Sequence, residues 1–450
     1  MSLHSLRSIF LAALFLTPGI AHGISSTDTV NVGGVTDTVH AASDPTQTYA
    51  LFLPSRYNAN RRWPLLILMD PRGRALVPLK LFQAAAERYG YIVMSSYQTQ
   101  SDGPIEPNDN AINAILADAQ AKFSVDTHRF YFAGFSGTGR LAWYYAYSIP
   151  SNAGGVIEVG AGLPEPGLLL RERIAKDSTA PFAVFLGVGS TDFNYEEVRA
   201  LDAKLKVFGI RDHLEIFDGT HSWPPESVCT DAITWMQLQA MRDGRLAIDS
   251  SWVDSLFGDA ARRADKLATV DRYSAFVLYQ QLEHDFGGIH DITGVKLAAE
   301  RFAGSESVKG TVSRLAGFTA GEQSFHQRED SFFSDFAKNS QQRTDKLRAI
   351  LDLDALRDRA AQTKDTLDAA AAARLLASVF VRASFYEPRR YLAQGDTLTT
   401  LRLYGLAQSI HPDDGQLCAE RDRLFHAFAQ TKPVPGELAC KSASKAPASN

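Results

Sequence analysis

Three side chains in this 450-residue chain have the types and placement to do chemistry together: Ser136, Asp192 and His221. A serine hydroxyl is a poor nucleophile at neutral pH and needs a neighbouring imidazole to take its proton. The imidazole needs a carboxylate that holds its tautomer and stabilises its charged form. Ser136 lies in Ala133-Gly134-Phe135-Ser136-Gly137-Thr138-Gly139-Arg140. That small-residue turn joins an expected strand, Arg129 to Ala133, to a helix expected from Arg140 to Tyr147. A serine at such a bend stands above the C-terminal edge of a sheet in strained dihedrals, and its neighbours must be small for strand and helix to approach. The new helix turns its positive end toward the hydroxyl, which favours a developing oxyanion. A glycine-rich turn can also hold a serine for structure alone; the strand before it and the helix after it favour chemistry.

The turn resembles the nucleophile elbow of the α/β-hydrolase superfamily, whose pattern is G-x-S-x-G. It departs from that pattern at Thr138, with Gly139 one place later. Thr is bulkier and β-branched, so the helix is expected to sit slightly further off. The resemblance implies the chain order Ser, acid, His. Leu214 to Phe217 reads as the last strand and runs into Asp218-Gly219-Thr220-His221-Ser222-Trp223-Pro224. That stretch is similar to the GxHxWP loop of secreted esterases and polyhydroxybutyrate-depolymerase-like hydrolases, which makes His221 the expected base. The expected acid is Asp192, just past the strand Phe182 to Val188. Asp192 is equally suited to cap the helix that follows. Asp218 is the alternative acid, but it stands too close to His221 in the turn. The resemblance also implies two oxyanion donors: the N–H of Gly137, and one from the loop Asp70-Pro71-Arg72-Gly73. Pro71 has no N–H, so the second donor is expected to be Arg72, or else Gly73. The Arg72 side chain is also in a place to meet an acidic group of a substrate.

These residues need a scaffold, and the apolar pattern supplies one. Val30, Val32 and Val35 around Gly33-Gly34 suggest a short hairpin. Strands are expected at Tyr49 to Leu53, Leu65 to Met69, Tyr91 to Ser95, Arg129 to Ala133, Val156 to Val159, Phe182 to Val188 and Leu214 to Phe217. Leu65-Leu66-Ile67-Leu68-Met69 is continuously apolar, as in a strand buried on both faces. Helices alternate with these strands, one of them with Ile112, Ile115, Leu116, Ala119 and Phe123 on one face. Alternation of this kind requires right-handed crossovers and a mostly parallel sheet. The expected fold class is α/β: an α/β-hydrolase fold followed by an all-α domain. The segment from Gly160 to Ala180 is short, so no large cap is expected there.

From about Gly244 the periodicity is helical. One helix pair is expected over Tyr273 to Phe286 and Val295 to Phe302. A second runs over Ala383 to Tyr391 and Leu398 to Ile410, joined at Gly395-Asp396 and ended by Pro412. The second pair is similar to a tetratricopeptide-type unit. An ordinary helical bundle reads equally well, since about three repeats are needed to bury a continuous core. The expected organisation is a signal peptide over 1–23, the hydrolase domain over 24–245, the helical domain over 246–430, and a disordered tail over 431–450.

Composition bounds the function. A net charge of −5 argues against a nucleic-acid binder, which would show a basic face. Arg7, the apolar run Ile9 to Leu16 and the small residues at Ala21-His22-Gly23 read as a secretory signal peptide. An uncleaved anchor is the alternative. No later stretch is expected to span a membrane, so the mature protein should be secreted or periplasmic. In an oxidising compartment Cys418 and Cys440 could pair, leaving Cys229 over; three free thiols are the alternative. No metal-binding or nucleotide-binding motif is present, so no cofactor and no metal are expected. The resemblance thus implies a secreted serine esterase acting on a small-molecule or polymeric ester. The helical domain is a possible binding surface for a protein partner. A peptidase of the same fold is one alternative; a non-catalytic binder that works through its helical domain is another.

Overall fold

A computed structural model describes residues 30–163, 182–339, 344–362, 364–430 and 435–440. The expected signal peptide and most of the Gly160 to Ala180 segment lie outside these residues, as does most of the expected tail. The chain divides into two compact units. The first comprises residues through Ser190 together with Asn194–Val308; the second comprises Thr191–Phe193 and the chain from Lys309.

The first unit is built on an eight-stranded sheet of order β1-β2-β4-β3-β5-β6-β7-β8. The strands are β1 (Val35–His40), β2 (Thr48–Phe52), β3 (Trp63–Met69), β4 (Ile92–Ser96), β5 (Val125–Phe135), β6 (Ala153–Val159), β7 (Ala183–Gly189) and β8 (Asp212–Phe217). β2 pairs antiparallel with β1 and β4, and all other neighbours are parallel. The expected hairpin at Gly33-Gly34 is not formed. Gly33 turns the chain at φ 78°, and Val32 bridges Leu53 instead, so the first antiparallel pair is β1 with β2.

Every residue of β3 is buried, and its side chains divide between two cores. Leu65, Ile67 and Met69 join a cluster with Ile112, Ile115, Trp143 and Leu201. Leu66 and Leu68 join one with Phe82, Ile233 and Met236. The sheet is therefore covered on both faces. On one lie α2 (Glu106–Lys122), α3 (Gly137–Ser148) and α4 (Tyr195–Val207); on the other lie α1 (Leu76–Tyr89) and α5 (Glu226–Arg242). Strand alternation sends successive side chains to opposite faces, and this is why the apolar run has no polar members.

Three further helices, α6 (Ser250–Ala268), α7 (Arg272–Phe286) and α8 (Thr293–Ala303), also belong to the first unit. The boundary therefore falls after Val308 and not near 245. The reason is a set of buried polar ties to α7. Asp285 accepts from Trp235 Nε1 at 2.8 Å and lies 2.9 Å from His213 Nδ1. Gln281 donates to the Leu214 carbonyl at 2.8 Å. Leu238 and Met241 of α5 share a core with Tyr279, Leu282 and Phe286.

α9 (Glu306–Ser334) leads into the second unit, in which every regular element among the described residues is a helix. Its elements are α10 (Phe336–Asn339), α11 (Thr344–Ile350), α12 (Leu353–Ala361), α13 (Thr366–Val381), a π-helical turn over Arg382–Tyr386, α14 (Glu387–Ala393), α15 (Thr397–Ile410) and α16 (Gly415–Ala429). The helix running from Thr366 to Ala393 is long and apolar enough to cross a membrane, contrary to the sequence expectation. Ala372, Leu375, Val379 and Ala383 on it lie in the core of this unit, and that burial accounts for its composition. Cys418 and Cys440 form a disulfide, and Cys229 is free and buried.

Candidate active site

The site stands at the C-terminal ends of the parallel strands. Ser136 follows β5 with φ 56° and ψ −132°, one of three non-glycine residues at positive φ among those described. A side chain held there costs on the order of 1–3 kcal/mol, so the surroundings must impose the bend. Two of them do. A Cβ on Gly134 would come 2.2 Å from the Thr138 carbonyl oxygen, so only glycine fits. The Thr138 hydroxyl, fully buried, lies 2.7 Å from the carbonyls of both Met69 and Phe135 and accepts from the Phe135 N–H at 3.2 Å. It donates to one of those carbonyls. The threonine at the place of the second glycine thus clasps the turn to the end of β3.

Ser136 opens α3 without capping it, which leaves its hydroxyl for another partner. That partner is His221, whose Nε2 lies 3.0 Å from Ser136 Oγ. A neutral imidazole accepts the serine proton at that distance. The His221 ring rests on Phe135, with centroids 4.5 Å apart. Two residues on, Trp223 is buried and lies against Phe135 and Phe82.

Asp192 lies in the turn between β7 and α4 and is 1 % exposed. α4 has Asn194 at its N-cap position, so Asp192 does not stand in the capping place. The end of β7 runs beside the histidine loop: Ser190 N–H donates to the Phe217 carbonyl at 2.8 Å, and a Cβ on Gly189 would meet the Gly219 and Thr220 carbonyls within 2.5 Å. Asp218, the alternative acid, is exposed.

Gly137 is the first residue of α3, where backbone N–H groups lack an intrahelical acceptor. The other expected oxyanion donor is engaged elsewhere. The Arg72 N–H donates to Asp70 Oδ1 at 2.9 Å, and the Gly73 N–H donates to the Asp70 carbonyl at 3.1 Å. The turn after β3 closes on its own aspartate, which the sequence reading treated only as loop. Asp70 is fully buried. Burial alone would raise its pKa, but Arg74, Trp223 and two backbone N–H groups outweigh that and hold the carboxyl below the usual range.

A second buried acid lies beneath α3. Glu158 of β6 accepts from Trp143 Nε1, and burial pushes its carboxyl well above the usual range. The one cluster of three metal-ligand side chains among the described residues, Cys418, Asp422 and Cys440, has both sulfurs in the disulfide.

No protein-family model and no curated protein sequence matches the chain. Solved structures do resemble it over slightly less than half its length. A ferulic acid esterase is 18 % identical with a TM-score of 0.38, the match covering 46 % of this chain and 98 % of the esterase. A fluorophosphonate-binding serine hydrolase of Staphylococcus aureus is 15 % identical with a TM-score of 0.39, over 46 % of this chain and 99 % of the hydrolase. A feruloyl esterase module from Clostridium thermocellum is 14 % identical with a TM-score of 0.37, over 44 % of this chain and 85 % of the module.

Proposed function

We propose that this protein is an exported serine hydrolase that cleaves carboxylic esters through an acyl-enzyme. The observation that carries this reading is the pair formed by a strained, uncapped Ser136 and His221 Nε2 at 3.0 Å. In the reaction His221 takes the proton of Ser136 as Oγ bonds to the ester carbonyl carbon. The oxygen that gains charge faces the Gly137 N–H and the positive end of α3. Collapse of the tetrahedral species breaks the bond to the alcohol oxygen, which receives the proton from His221. Water, deprotonated by His221, then attacks the acyl carbon, and the carboxylic acid leaves as Ser136 regains its proton. Asp192 is the proposed acid, supported by its place in the chain directly after β7.

Export is proposed on the N-terminal sequence, and the Cys418–Cys440 disulfide supports an oxidising compartment. The substrate is a small-molecule or polymeric ester. The test is hydrolysis of short p-nitrophenyl esters by the mature protein and its Ser136→Ala variant, with aminoacyl anilides assayed in parallel. Ester turnover that vanishes in the variant, with its circular dichroism unchanged, supports the mechanism. Retained turnover in Ser136→Ala refutes it, and a preference for anilides moves the reading to a peptidase.

A further inference from the structure

The end of β3 holds more than the turn that follows it. Asp70 is fully buried, and its carboxylate accepts five hydrogen bonds. Oδ1 takes the N–H groups of Arg72 at 2.9 Å and Arg74 at 3.2 Å, and Arg74 Nε at 2.9 Å. Oδ2 takes Arg74 Nη2 at 2.8 Å and Trp223 Nε1 at 2.9 Å. The last bond spans 153 residues of sequence and ends two residues past His221. Met69, next in the chain, offers its carbonyl to the Thr138 hydroxyl at 2.7 Å, two residues past Ser136. The nucleophile turn and the histidine loop are therefore anchored on adjacent residues, Met69 and Asp70. The aromatic contacts of Phe135 with His221 and with Trp223 close the circuit.

We propose that Asp70 is a positioning residue: acting through Trp223, it sets where His221 stands relative to Ser136. The proposal rests on the serine-hydrolase reading above. A loop histidine has no strand or helix of its own to fix it. Its reach to Oγ depends on what holds the flanking chain, and a misplacement of about 1 Å costs about 100-fold in rate. The ion pair with Arg74 keeps the Asp70 carboxylate charged and oriented, so the Trp223 N–H meets a fixed, charge-assisted acceptor.

Two variants test this. Trp223→Phe keeps an aromatic ring beside Phe82 and Phe135 while removing the Nε1 donor together with part of the ring volume. Asp70→Asn keeps the shape and removes the charge. The expected result for each is a fall in kcat of about 10- to 100-fold, with KM within about twofold of wild type. Labelling of Ser136 by a fluorophosphonate slows in parallel. The double variant is no slower than Asp70→Asn alone, because both changes break one link. A purely structural role predicts something else: lower unfolding midpoints with wild-type kcat in the folded protein, or effects on log kcat that add. Either result overturns the proposal. If Asp70→Asn does not fold, Trp223→Phe decides by itself. Labelling of wild-type Ser136 with unchanged kcat in Trp223→Phe defeats the positioning role and leaves the hydrolase reading intact. Failure of wild-type Ser136 to label defeats both.

Discussion

Replacing Thr138 by valine removes one hydroxyl at nearly constant volume and asks what holds the elbow closed. The hydroxyl makes one donated bond, to Met69 or Phe135, and one accepted bond, from the Phe135 N–H. All of these groups are buried, and valine can satisfy none of them. Each buried partner left unmade costs about 1–3 kcal/mol, so losing two places the destabilisation at about 2–6 kcal/mol. A methyl in place of Oγ1 would also sit 2.7 Å from a carbonyl oxygen, well inside the ~3.3 Å of a carbon–oxygen contact. The turn must then open, and Ser136 moves with it. The assay is urea unfolding followed by tryptophan fluorescence. Trp63, Trp143, Trp223, Trp235 and Trp252 all lie in the first unit, so the signal reports that unit. Thr138→Ser, which keeps the hydroxyl, should fall much nearer wild type. Stability of Thr138→Val within ~0.5 kcal/mol of wild type, the range of a neutral surface change, would refute the clasp.

Two more outcomes follow from the buried pairs. Burial tends to lower the His213 pKa, but Asp285 and then Glu215 outweigh it and raise it from 6.5 to about 10. A histidine raised on folding gives its stabilisation in full below the unfolded value and loses it as pH rises through the folded one. The stability difference between wild type and His213→Phe should therefore shrink steadily between pH 6.5 and about 10; a difference that stays constant would discount the pair. The disulfide closes 22 residues of chain in the second unit, and constraining the unfolded state by such a loop is worth about 3 kcal/mol. Thermal unfolding by circular dichroism should show one transition fall to lower temperature in Cys418→Ser or in reductant, and an unmoved profile would contradict the cross-link.

Much of the scaffold was legible because burial on both faces writes itself into composition. The run from Leu65 to Met69 and the strand from Ala183 to Gly189 have no polar side chain to confuse the period. Ser136 and His221 were legible for a different reason: each sits in a local turn with a small-residue or Trp-Pro signature. What escaped was long-range. Nothing near Asp70 in sequence announces Trp223, and an aspartate before proline reads as an ordinary turn. A hint was available in Asp70, Arg72 and Arg74, since a buried strand end seldom carries three charges without using them. The domain boundary was misplaced because α5 ends at Arg242 with turn residues after it, a local sign of a linker. The ties that keep α7 with the sheet run through Asp285, His213 and Trp235, and no window of sequence contains all three. Thr138 was read by bulk alone, while its effect lies in its hydroxyl.

The backbone at Ser136 has a consequence for how this protein can change over time. The bend is unfavourable for any side chain with a Cβ, yet a nucleophile there must have one. Substitution by glycine would relax the bend and erase the hydroxyl in one step. Selection for a sturdier fold and selection for turnover therefore pull this position in opposite directions. A descendant freed from the need to react would drift away from serine downhill in energy, and a return would have to climb.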